Sequence, residues 1–147
     1  MKSDTSRTSA IGLVLMPSGT SHVKSQGREV RILLVEDHEV VRKGLRDLIE
    51  GHSGWRVCGE AASGNEGIEK AGVLNPDVVA IDISMPGLDG IEATKRIRCL
   101  CPKAKLVVVS MYDSQKGLAA KAGADAYVGK SRTWGDLCKT IAEVLEK

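Results

Sequence analysis

The acid Asp82 closes the apolar run Val78–Ile81 in the stretch VVAIDISMPG. A carboxylate at the end of a buried strand is costly unless it is paired, hydrogen-bonded or metal-bound. Four other groups stand in corresponding places, each at the end of an apolar run. Glu36 and Asp37 follow ILLV, Ser110 follows LVVV, and Lys130 follows AYVG. Three neighbouring carboxylates would repel one another and raise their pKa values, and a hard divalent cation relieves that strain. Mg²⁺ suits such a set, since it takes oxygen ligands from one or two carboxylates, waters and phosphate oxygens. A lysine is a point charge suited to a phosphoryl oxygen. Together the residue types describe a metal-assisted site for a phosphoryl group.

For these groups to meet, the runs that carry them must be strands of one sheet with a common rim. In a doubly wound sheet, functional groups gather at the carboxyl ends of strands, beside the point where the strand order reverses. The chain alternates accordingly. Val30–Val35 reads as a strand, and Val40, Val41, Gly44, Leu45, Leu48 and Ile49 then recur at helical spacing. Trp55–Ala61 alternates as a second strand. Ser63 and Glu66 have capping-box spacing and open a helix to about Val73, which Asn75-Pro76 stops. Asp77–Ile81 is apolar on consecutive positions after its first residue, as a central parallel strand should be.

Asp89 with Glu92 opens a third helix ending near Leu100-Cys101-Pro102, and Leu106–Val109 is the fourth strand. A short helix from Ser114 to about Ala122 stops at Gly123. Ala126–Val128 is the fifth strand, and Thr133–Asp136 caps a last helix bearing Leu137, Ile141, Val144 and Leu145. Five strands alternating with five helices predict an α/β domain with a parallel sheet.

Composition agrees with one such domain. The 147 residues are 42% hydrophobic and 27% charged, and with 3% aromatics and no Phe the core must rest on Val, Leu, Ile and Ala. Residues 1–27 carry nine Ser or Thr, and their three basic and one acidic residues account for the whole net charge of +2. That segment cannot bury enough apolar surface to offset its ordering entropy and is expected to be a disordered tail, leaving 28–147 as the domain. A neutral domain without a basic patch argues against nucleic-acid binding by this chain. Cys58, Cys99, Cys101 and Cys138 lack zinc or redox spacing and read as reduced, structural thiols of a cytoplasmic protein. The run Ala10–Met16 is too short for a membrane span and is followed by no cleavage signal.

The segments ILLVEDHEVVRKGL (32–45), VVAIDISMPGLDGIEATKRIR (78–98), LVVVSMYD (106–113) and GADAYVGKS (123–131) resemble the receiver domains of bacterial two-component response regulators. VEDH and SMPGLDGIEA look most like the LuxR/NarL-type subfamily, whose members usually carry a helix-turn-helix. The resemblance implies a flavodoxin-like fold with strand order 2-1-3-4-5. It implies Asp82 as phosphoacceptor and Glu36 and Asp37 as the acid pocket. Mg²⁺ would be bound by Asp37, Asp82 and the backbone carbonyl of Ser84. Lys130 and Ser110 would bind the phosphoryl group, with Ser110 and Tyr127 as the switch pair. The implied partners are a sensor histidine kinase or phosphotransfer protein upstream and a protein partner or output domain downstream. A homodimer stays open.

Each residue also has a blander reading. A lone strand-end Asp is usually structural, and only the concerted set makes Asp82 functional. Ser110 could satisfy a backbone group, Tyr127 could be a half-buried strand tyrosine, and His38 is expected to start the first helix rather than to do chemistry. Trp55 and Trp134 read as packing residues, and Met85-Pro86-Gly87 as a loop-shaping segment.

Two departures from the family pattern stand out. Ser110 and Lys130 lie 20 residues apart, a short spacing that places a deletion in the fourth helix. Ser131 replaces the usual proline, so the bond after Lys130 is expected to be trans. The chain would not be an enzyme beyond its own phosphotransfer and dephosphorylation. A haloacid-dehalogenase-type phosphohydrolase would need an acid where Ser84 stands. A pseudo-receiver, a single-domain regulator and a receiver cut from a DNA-binding regulator remain as alternatives.

Overall fold

The computed structural model describes residues 28–84, 89–111, 113–129 and 135–147. The expected tail 1–27, the loop Met85-Pro86-Gly87, Lys130 with its bond to Ser131, and the Thr133-Trp134 cap lie outside the described residues. The elements are β1 (Val30–Val35), α1 (Glu39–Glu50), β2 (Trp55–Ala61), α2 (Gly64–Leu74), β3 (Val78–Asp82) and α3 (Gly90–Leu100). They continue with β4 (Lys105–Ser110), a 3-10 turn (Asp113–Gln115), α4 (Lys116–Lys121), β5 (Ala126–Gly129) and α5 (Gly135–Leu145). Among the described residues the five strands form one sheet in the order β2-β1-β3-β4-β5, every pair parallel. This is the expected doubly wound order.

Strand side chains alternate between two apolar layers. Leu33, Val35, Val79, Ile81, Leu106 and Val108 face Ile91, Ala93 and Ile97 of α3 and Ala119 of α4. Ile32, Leu34, Val78, Ala80, Val107 and Val109 face Leu45 and Ile49 of α1 and Leu137, Ile141 and Val144 of α5. β3 is buried along its whole length, which explains its unbroken apolar sequence.

Local signals account for most boundaries. Ser63 Oγ accepts from the Glu66 amide at 3.1 Å, and Glu66 Oε1 accepts from the Ala62 amide at 2.8 Å, one residue earlier than the usual reciprocal bond. Asp89 Oδ1 caps α3 through the Ile91 amide at 2.9 Å. Gly123, at φ +109°, ends the segment after α4, where a Cβ would lie 2.8 Å from Arg98 Cγ.

Two loop aspartates tie down the amino ends of the strands. Asp77 accepts from the Arg31 amide and Asp125 from the Leu106 amide, both at 2.8 Å. Each is also held by an arginine, Arg28 at 2.5 Å and Arg98 at 2.7 Å.

Three expectations change. The fourth helix begins as a 3-10 turn, and its α-helical part is only six residues long. The helical pattern of α1 overstates its buried face: Leu45 and Ile49 are buried, but Val40 is 84% and Leu48 43% exposed. Not all the cysteines are structural: Cys101 and Cys138 are buried but Cys99 is exposed. Trp55 meets its expectation, stacking on His52 with ring centroids 4.5 Å apart and packing against the α1/α5 layer. Among the described residues no helix is long and apolar enough to cross a membrane.

Candidate functional site

The order β2-β1-β3 reverses at β1 and opens a crevice at the carboxyl ends of β1 and β3. Val35 pairs with Ile81, so the next residues, Glu36 and Asp82, stand level on adjacent strands. Asp82 pairs in turn with Val109, and Ser110 with Gly129. Lys130 follows Gly129 in the chain and lies outside the described residues. The register alone therefore brings Glu36, Asp37, Asp82 and Ser110 to one rim.

The two innermost carboxylates are almost wholly buried, Glu36 at 1% exposure and Asp82 at 3%. Glu36 continues the pairing of β1 with β2 through its amide to Ala61 O at 2.9 Å. Its Oε2 accepts from the His38 amide at 3.2 Å, and its carbonyl from Arg42 Nη1 at 2.8 Å. Asp37 is more open to solvent. His38 caps α1 without a side-chain hydrogen bond to the helix, as a helix-starting residue. Its ring Nδ1 lies 3.7 Å from Glu36 Oε2 and 3.6 Å from Asp37 Oδ1.

Asp82 is held in orientation by the Ser84 amide, which donates to Oδ1 at 2.8 Å. Ser84 also ties this turn to the next strand, since its Oγ accepts from the Met111 amide at 3.2 Å. Ile83 donates to Val109 O at 2.9 Å and carries the pairing one residue beyond β3. Ser110 is fully buried and donates to Gln115 Oε1 at 2.7 Å. Tyr127, opposite Val108 on β5, is partly buried against the α3/α4 layer.

The donor set fits a hard divalent cation, being carboxylate oxygens at a crevice mouth. Among the described residues, the cluster whose ligand atoms lie within 4.8 Å of one another is Glu36, Asp37 and His38. Asp82 stands beside that cluster on the neighbouring strand. Sequence reasoning missed Gln115, because a polar residue five positions beyond a strand serine signals nothing until the 3-10 turn folds it back.

The parallel sheet order and the two buried acids at its switch point define a doubly wound, flavodoxin-like α/β domain with an acidic crevice. The match to the response regulator receiver domain covers residues 32–142, and the chain belongs to that family. It is 40% identical over 114 residues to the transcriptional regulatory protein LiaR of Bacillus subtilis, covering 76% of this chain and 54% of that protein. It is 35% identical over 114 residues to the response regulator protein VraR of Staphylococcus saprophyticus, with the same coverage of 76% and 54%. A LuxR-family two-component response regulator from Aurantimonas sp. SI85-9A1 superposes with a TM-score of 0.76 at 38% identity, over 80% of this chain and 86% of that one. These relatives place the receiver with the LuxR/NarL-type subfamily. The chain spans about half the length of the curated relatives it matches.

Proposed function

We propose that the domain, residues 28–147, is a phosphorylation switch in which Asp82 accepts a phosphoryl group from a sensor histidine kinase or phosphotransfer protein. The observation that carries this reading is the register that sets Asp82 level with Glu36 and beside the strand ending in Ser110. In the transfer, a carboxylate oxygen of Asp82 bonds to phosphorus as the P–N bond of a phosphohistidine breaks. The imidazole leaves with the electron pair and takes up a proton.

Asp37 and Asp82, with the backbone carbonyl of Ser84, would hold Mg²⁺ beside Glu36 in the acid pocket, and the ion would supply charge compensation for the incoming phosphoryl oxygens. The Ser84 amide fixes the rotation of the Asp82 carboxylate. Lys130 and Ser110 would bind the transferred group, and Tyr127 would follow the movement of Ser110. The output is a changed protein-interaction surface rather than turnover of a substrate. In a longer regulator, as the name of LiaR suggests, that output would serve transcription.

Incubation with acetyl phosphate and Mg²⁺ is expected to add one hydroxylamine-labile phosphoryl group to the wild type and none to Asp82→Ala. Equal labelling of both proteins would exclude Asp82 as the acceptor. Chelation of the metal is expected to abolish labelling without unfolding the domain.

A further inference from the structure

Gln115 ends the 3-10 turn and stands at the amino-terminal cap position of α4, yet its side chain makes no capping bond to that helix. It turns back instead to take the proton of the buried Ser110 hydroxyl at 2.7 Å. A hydroxyl has a single proton to donate. A phosphoryl oxygen accepts and cannot donate, so it competes with the Gln115 carbonyl for that proton.

We propose that Gln115 is a positioning residue that holds the Ser110 hydroxyl in the resting protein. Capture of a phosphoryl group by Ser110 and release of the start of α4 are then one event, because the same proton is exchanged. The inference rests on the phosphoacceptor reading above and adds to it the residue that sets the resting position. The link is short: Ser110 is the last residue of β4, and Gln115 directly precedes α4. A helix of six residues is too short to be stable alone, so its first turn depends on tertiary ties, the Gln115 tether beside the core packing of Ala119.

The test compares the wild type with Gln115→Met, which keeps side-chain length and removes the strong acceptor. Three-bond couplings report the Ser110 χ1 rotamer in the protein without additives. One rotamer is expected to dominate in the wild type and to give way to averaging in the variant.

Beryllofluoride with Mg²⁺, as a phosphoryl mimic, is expected to bind the variant roughly fivefold more tightly, the effect of removing one net hydrogen bond that opposes the competent state. That gain should disappear when Gln115→Met is made in a Ser110→Ala background. An unchanged Ser110 rotamer overturns the proposal. A gain that persists without the Ser110 hydroxyl also overturns it, because α4 packing is then the cause. If the rotamer shifts while no protein binds beryllofluoride, the holding role of Gln115 stands and the phosphoacceptor reading falls.

Discussion

At the scale of single residues, the clearest electrostatic effect lies away from the rim, at Glu66. The Ala62 amide, and then Lys70, hold its carboxyl below the usual glutamate range. A lowered folded value means that its contribution is present above the unfolded value of about 4.3 and is lost as pH falls through the folded value. Denaturant midpoints measured downward from pH 7 are expected to drop less steeply below that point for Glu66→Gln than for the wild type. The group is half-exposed, so the difference should also shrink with added salt.

Residue by residue, the site divides into what spacing can show and what it cannot. Glu36, Asp37, Asp82 and Ser110 are legible because each follows an apolar run, and a strand end is a position that one dimension records. The His38 ring beside the two acids and the Gln115 tether are not legible, since both depend on side-chain directions at turns. Arg98 is also invisible in sequence, although it reaches the carbonyls of Gly123, Pro102 and Ala104 as well as Asp125. Its fixed fork of donors suits that task, which a lysine could not perform.

At the scale of elements, α3 is set by a close approach. A Cβ on Gly90 would lie 2.4 Å from Ile83 Cα, a backbone atom that cannot move aside cheaply. Gly90→Ala is therefore expected to cost about 1–3 kcal/mol in chemical denaturation, as over-packing does. Because Ile83 follows Asp82, the same substitution should slow phosphorylation by acetyl phosphate. A stability loss with unchanged labelling would separate α3 docking from the site.

The edge strand β2 shows a different device. The Val57 amide donates to Glu50 at 3.0 Å, and Lys70 caps the Glu60 carbonyl, so side chains from two helices cover groups that could otherwise pair with another strand. The amphipathic pattern of α1 is readable, but its exposed Val40 and Leu48 are not, because periodicity marks a face without saying how much of it the sheet can cover.

At the scale of the whole molecule, the alternation of strands and helices fixes the class, and right-handed crossovers leave few ways to order five parallel strands. What the pattern could not supply is the exact level at which neighbours pair, and that level decides whether Glu36 and Asp82 meet. The fastening at the opposite end bears on this. Asp77 and Asp125, each with its arginine, lock the amino ends of β1 and β4, whereas the carboxyl ends run out into turns. β1 and β4 are thus cantilevers, each clamped at its root and loaded at its tip. Chemistry at the tip can bend the last residues without loosening the root. Hydrogen exchange should show this along β4, with the buried Leu106 amide slower than that of the exposed Met111, and a phosphoryl mimic should change the Met111 end more than the Leu106 end.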